Sequence, residues 1–189
     1  MSHFTAIYDA CVLYPAPLRD LLMQLALTDL YRARWTNDIH DEWIRNLLKN
    51  RQDLTPEQLT KTKQLMNTSV RDCLVEGYQS LIPSLHLPDP NDCHVLAAAI
   101  RCQAGVIVTF NLRDFPLESL NPYEIEAQHP DVFILHLLDL NPAKVCNAAE
   151  ICRKRLKKKP KTPDQYLGSL MQQGLPQTVA SLRELYYET

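Results

Sequence analysis

Residues 106 to 110, VIVTF, form a continuous apolar run between Gly105 and Asn111. A strand with one wet face alternates apolar and polar side chains, whereas a strand covered on both faces does not. The run therefore predicts a fully buried strand, the habit of a parallel sheet with crossover helices on its faces. Residues 4 to 8, FTAIY, read as a second buried strand, which ends at Asp9. VFIL, residues 132 to 135, is a further strand candidate. Helical patterns lie between these strands, so the expected class is α/β with a central, mostly parallel sheet.

Pro15 and Pro17 precede LRDLLMQLALTDLY, whose leucines recur at helical spacing. Thr36 and Asn37 are cap candidates for DIHDEWIRNLLKN, in which Ile39, Trp43 and Leu47 form an apolar stripe. Thr55-Pro56-Glu57 opens another helix, with Leu59, Met66, Val70, Cys73 and Leu74 expected on one side. In PDPNDCHVLAAA, residues 88 to 99, prolines and acids mark a helix start ahead of small apolar residues. One cap needs one side chain, yet Asp89, Asn91 and Asp92 crowd the same few positions. Beyond about residue 138 the pattern turns to short helices around a basic run, RKRLKKKPK, at residues 153 to 161. The expected organisation is one domain over residues 1–137 and a helical C-terminal extension over residues 138–189.

The 46% hydrophobic content and only four glycines argue for a folded, helix-rich chain. With a formal net charge of -2, contact with nucleic acid must come from local patches. No run of about 20 apolar residues suggests a membrane span, and the N-terminus lacks a signal-peptide pattern. The six cysteines form no C-x-x-C pair. A reduced, cytoplasmic protein without a disulfide frame or zinc site is expected.

In open α/β sheets, ligands bind beyond the carboxyl ends of the strands. Asp9 ends the first strand, Asn111 and Asp114 follow VIVTF, and Asp92 heads the helix that leads into it. Glu42 lies beside the apolar stripe of its helix and could point to the same edge. Like charges about 4 Å apart repel strongly, so several carboxylates converge only around a cation. An oxygen-only set with neither His nor Cys suits a hard ion, Mg²⁺ or Mn²⁺. Such a site activates water and stabilises in-line phosphoryl displacement. Thr109 and Asn111 are candidates for orienting a ligand carboxylate, and Arg113 for a phosphate contact. In the basic run, Arg153, Lys154, Arg155, Lys157, Lys158, Lys159 and Lys161 could meet nucleic-acid phosphates or an acidic partner segment. The plain alternative is a solvated linker.

In order along the chain, IYDACVLYP, DEW, PDPNDCHVLAAAI and VIVTFNLRDFP resemble the signature segments of PIN-domain ribonucleases. Within that family they look like the VapC-like toxins of bacterial type II toxin–antitoxin pairs. The resemblance covers about residues 4 to 137, and the pair PDPNDCHVLAAA and VTFNLRDF is its specific part. It implies a three-layer sandwich around a parallel sheet, and metal-dependent endonucleolytic cleavage of RNA. Carried over by segment, it implies Asp9 as the first-strand acid, Glu42 as the helix acid, Asp92 as the helix-head acid and Asp114 as the last acid. Asp9, Asp92 and Asp114 would hold the ion, and Asn111 resembles the asparagine before the last acid. Asp41 and Asp38 remain alternatives to Glu42. The resemblance also implies a cognate antitoxin that covers or disrupts the acidic site, and homodimers or toxin–antitoxin hetero-oligomers.

Plainer roles stand beside each of these. Asp92 could be only a helix cap, Glu42 a solvated helix residue, and Asp114 an Asx turn before Phe115-Pro116. His94, two residues from Asp92, points to another side of a helix and reads as buried or partner-facing. Cys11 has no nearby base in sequence, which disfavours a cysteine hydrolase. Two rival functions remain: a non-catalytic RNA- or protein-binding module on the same scaffold, and an aspartyl phosphatase. The latter commonly uses D-x-D, whereas Asp9 is followed by Ala10-Cys11.

Overall fold

The computed structural model describes residues 4–187. Strands β1 (Thr5–Tyr8), β2 (Arg32–Arg34), β3 (Val106–Val108) and β4 (Glu126–Gln128) form one sheet in the order β2-β1-β3-β4. Every neighbouring pair is parallel. The helices, in chain order, are α1 (Ala10–Leu13), α2 (Ala16–Ala26), α3 (Asn37–Asn50), α4 (Pro56–Ser69), α5 (Cys93–Arg101), α6 (Leu117–Leu120), α7 (Pro130–Leu140), α8 (Pro142–Lys154), α9 (Pro163–Gln172) and α10 (Pro176–Tyr187). The chain divides into two compact units: Met1–Tyr14 with Tyr31–His129, and Pro15–Leu30 with Pro130–Thr189.

The first unit holds the sheet. Its inner strands β1 and β3 are sealed: Ala6, Ile7, Tyr8, Ile107 and Val108 are all 0% exposed. Ile7 faces Arg34 on one side and Ile107 on the other, and Tyr8 pairs with Val108. The ladder runs one residue further, where the Asp9 amide donates to the Val108 carbonyl at 3.1 Å. This sets Asp9 at the carboxyl edge of the two inner strands. Helix α5 packs on both of them, and its buried Ala97, Ala98 and Ala99 allow a close approach. Helix α3 starts where the Thr36 hydroxyl accepts from the Ile39 amide at 3.0 Å. It buries the expected stripe of Ile39, Trp43 and Leu47 and packs on α1 and α4. Thr55 and Gln58 close a reciprocal capping box at the start of α4, with Pro56 at its first position.

Two expectations from the pattern are corrected. VFIL is not a strand but part of α7. A four-residue apolar run fits a buried helix as well as a strand. Here Pro130 opens the helix and Asp131 sits in its first turn, both helix-start signals. The edge position in the sheet goes to β4, a three-residue strand beside β3. Secondly, α4 ends at Ser69, so Val70, Cys73 and Leu74 do not continue its face. Leu74 instead forms a parallel bridge with Trp35. The Trp35 amide donates to Cys73 and the Val75 amide to Trp35, each at 2.9 Å.

Among the described residues, the second unit consists of helices and the turns between them. Helix α2 packs on α8 and α9, α7 on α8 and α10, and α9 on α10. Leu18, Leu21, Leu22 and Leu25 of α2 are 0% exposed, as are Val145, Ala149, Leu170, Val179 and Leu182. Positions 137 and 138 lie inside α7. Among the described residues no helix is long and apolar enough to cross a membrane.

Candidate metal centre at the carboxyl edge of the sheet

Asp9 directly follows β1 and caps α1. Its Oδ1 accepts from the Ala10 amide at 2.7 Å. Its Oδ2 accepts from the Thr109 hydroxyl at 2.8 Å and from the Cys11 thiol at 3.3 Å. An ionised carboxylate has about four lone-pair positions, so these three donors leave room for another partner. Burial pushes the Asp9 carboxyl up, against the pull of the Thr109, Cys11 and Ala10 bonds, and the charge of Glu42 adds to the rise.

Thr109 and Cys11 join the ends of β1 and β3. Thr109 is fully buried and accepts from the Asn111 amide at 2.9 Å. Cys11 Sγ accepts from the Phe110 amide at 3.3 Å. Burial, and then the charge of Asp9, push the Cys11 thiol up to about 12. It therefore stays protonated at neutral pH and acts as a donor to Asp9. The side chains of Asn111 and Arg113 are exposed on the turn after β3.

The crowd at residues 89 to 92 divides its labour. Asp89 accepts from the Asn91 amide at 2.9 Å and so serves the turn. Asp92 occupies the cap position of α5, yet its side chain makes no capping hydrogen bond. It is only 8% exposed. Burial, followed by the charges of Asp9, Asp89, Asp114 and Glu42, pushes its carboxyl up to about 7. Asp114 lies in the 3-10 turn Leu112–Asp114, half-buried, with its amide bonded to the Asn111 carbonyl at 3.0 Å.

Glu42 is the α3 carboxylate whose charge acts on both Asp9 and Asp92. Asp41 pairs with Lys63 at 3.1 Å, and Asp38 accepts from the Tyr78 hydroxyl. Glu42 Oε2 lies 3.4 Å from His94 Nε2. The sequence pattern separates His94 from Asp92 and gives no sign of this contact, because it joins two helices far apart in the chain.

The four acids make an oxygen-only set of mutually repelling charges, which suits a hard divalent cation. Among the described residues, no three His, Cys, Asp or Glu side chains stand close enough together to hold a metal ion as they are. Repulsion opposes their closer approach, and a divalent charge is what would relieve it. The donor chemistry thus fits Mg²⁺ or Mn²⁺.

The basic run belongs to the helical unit. Arg153 is held by both Glu150 oxygens and by the Lys161 carbonyl. Lys154 pairs with Glu150 at 3.4 Å, and Lys161 meets the Ser169 hydroxyl. Arg155, Lys157, Lys158 and Lys159 are exposed.

A family model described as the PIN domain matches residues 5–113, more than half of the 189 residues. The chain belongs to the PIN-domain family. The PIN match takes in Asp9, Glu42 and Asp92 and stops one residue before Asp114. A second family model, the VapC50 C-terminal domain, matches residues 130–184, from α7 into α10. A curated relative from Mycobacterium tuberculosis strain H37Rv, named "Putative ribonuclease VapC50", is 41% identical over 110 residues. The matched stretch is 58% of this chain and 64% of the relative. No solved structure matches the chain.

Proposed function

We propose that this PIN-domain protein is a Mg²⁺- or Mn²⁺-dependent endoribonuclease and the toxin of a toxin–antitoxin pair. The observation that carries the reading is the placement of Asp9 at the carboxyl ends of β1 and β3, with the buried Asp92 within reach of its charge: burial first, then the charges of Asp9, Asp89, Asp114 and Glu42, raise the Asp92 carboxyl. Family membership and the relative's name support the ribonuclease class. Asp9, Asp92 and Asp114 would hold the divalent cation, which when bound supplies charge neutralisation at the phosphate and activation of water for in-line attack. Thr109, Cys11 and the Ala10 amide orient Asp9 and favour its ionised form against the effect of burial. Glu42 adds negative charge beside that group. Arg113, exposed next to Asp114, would contact a phosphate of the RNA strand. Cleavage would leave a 5′-phosphate and a 3′-hydroxyl.

In this reading the sheet-bearing unit carries the chemistry. Arg155, Lys157, Lys158 and Lys159 meet RNA phosphates or an acidic antitoxin segment, while Arg153 and Lys154 also brace their own helix. The antitoxin covers the acidic edge in the cytoplasm, and the toxin assembles as a homodimer or with the antitoxin.

The test is cleavage of a mixed RNA pool by the purified protein with Mn²⁺ or Mg²⁺, beside an EDTA control and Asp92→Asn. Metal-dependent cutting is expected, with a loss above ~100-fold in the variant, beyond the ~10–100-fold typical of an outer-sphere partner. RNA retention without cutting would favour the non-catalytic binding module. That second reading draws on the spacing of the acids, none of which are pre-gathered as a ligand trio.

A further inference from the structure

His94 stands on α5 with its side chain 17% exposed, and its Nε2 lies 3.4 Å from Oε2 of Glu42 on α3. Its other ring nitrogen, Nδ1, is buried without a hydrogen-bond partner. His40, the fully buried histidine of α3, differs: its Nε2 meets Asn67 and its Nδ1 meets Trp43. Leaving a buried ring nitrogen unpaired is unfavourable, so the position of His94 is not explained by satisfying its own polar atoms. What the ring does accomplish is to face Glu42. That carboxylate is 30% exposed on a flexible side chain. The charges of Asp9 and Asp92 repel it. With no restraint, Glu42 would swing toward solvent and away from the acid group.

We infer that His94 is a positioning residue, whose Nε2 holds the Glu42 carboxylate beside Asp9 and Asp92 against their repulsion. The inference rests on the metal-nuclease reading above and adds a residue to it. Its consequence is that removing His94 equals removing Glu42.

The test uses the full chain with His94→Leu, Glu42→Gln, the double variant and His94→Gln, which keeps an N–H donor at similar reach. Mn²⁺ binding is read from the electron paramagnetic resonance of the free ion, and kcat and KM are measured on RNA. His94→Leu and Glu42→Gln are each expected to weaken Mn²⁺ binding about 10-fold, as for an outer-sphere partner. The double variant should bind no worse than either single one, because the two act as a unit. His94→Gln should bind as the native chain does. kcat should follow the same pattern with KM for RNA unchanged.

Native-like or tighter Mn²⁺ binding by His94→Leu overturns the inference, as do losses that multiply in the double variant. If His94→Leu does not fold, the Gln variants decide: His94→Gln binding Mn²⁺ as poorly as Glu42→Gln overturns the inference. A native chain that binds no Mn²⁺ overturns the metal reading itself, and this inference with it.

Discussion

His40 has no exposed surface and both ring nitrogens paired. The Trp43 indole can only donate, so His40 Nδ1 accepts from it at 3.1 Å. The Trp35 indole donates to Asn67 Oδ1 at 2.8 Å, which fixes that oxygen as an acceptor and makes His40 Nε2 the donor at 2.9 Å. The network therefore accepts one neutral tautomer and has no place for a proton on Nδ1. Burial, in first place, lowers the His40 pKa from 6.5 to about 4. Between these values the unfolded chain holds the extra proton, so stability present above pH 6.5 is lost as pH falls toward about 4. The loss is at most ~3 kcal/mol, at 1.36 kcal/mol for each pKa unit. Denaturant unfolding of the native chain and His40→Gln at pH 7, 6 and 5 checks this. The variant should be less stable at pH 7 but show a slope against pH shallower by up to one proton. Equal slopes would mean that His40 titrates freely in the fold. At this scale the sequence is legible where a residue follows a strong local pattern. Asp9 after a buried strand and Ile39, Trp43 and Leu47 on a helix stripe are such cases. His40 with Asn67, and His94 with Glu42, join segments 27 and 52 residues apart, and no periodicity encodes which polar partner a buried ring will meet.

Asp131, in the first turn of α7, is 2% exposed and serves a different helix. Its Oδ1 accepts from the Thr178 amide at 2.8 Å and its Oδ2 from the Gln177 amide at 3.0 Å. Both amides belong to the first turn of α10, whose N–H groups have no partners within the helix. The Thr178 hydroxyl returns a bond to the Asp131 carbonyl at 3.2 Å. One carboxylate thus stands near the positive ends of two helices. Asp131→Ala leaves the buried Thr178 amide and the part-buried Gln177 amide open, at about 1–3 kcal/mol for the buried one. Amide exchange at Gln177 and Thr178 is expected to accelerate before that of the sheet, and unfolding should begin in the helical unit. Unchanged exchange at both amides would mean that water or other groups replace the carboxylate. The same helix shows why elements are only partly legible. VFIL carries strand-like composition, and its helical state is announced outside the run, by Pro130 and Asp131. β2 and β4 are three residues each at the two edges of the sheet, too short for alternation to emerge. β1 and β3 lie between them, and their unbroken apolar runs declare them.

At the scale of the molecule, the chain passes between its two units three times, after Tyr14, Leu30 and His129. Helix α2 follows β1 and α1 in sequence but belongs with the C-terminal helices. Its Leu18, Leu21, Leu22 and Leu25 are all 0% exposed, packed within the unit that α8 and α9 complete. A leucine pattern predicts that α2 is a helix but does not say which helices cover it. For this reason a division read along the sequence at 137/138 differs in kind from one read from packing. The difference has a measurable consequence. Removing residues 138–189 takes away α8, α9 and α10 while leaving α2 in place. Uncovering four leucines forfeits roughly 6–12 kcal/mol, at about 1.5–3 kcal/mol for each side chain. That is comparable with the about 5–15 kcal/mol that holds a whole domain folded. The fragment of residues 1–137 is therefore expected to aggregate, or to bind a hydrophobic dye with no cooperative melt. Substituting Leu18, Leu21 and Leu25 by polar residues in that fragment should reduce the aggregation, because the fault lies in the uncovered face. Size-exclusion chromatography and thermal unfolding of both fragments check this. A monomeric 1–137 fragment with a sharp transition would show that the fragment tolerates α2 bare, and that covering its leucines is not what makes the C-terminal helices necessary.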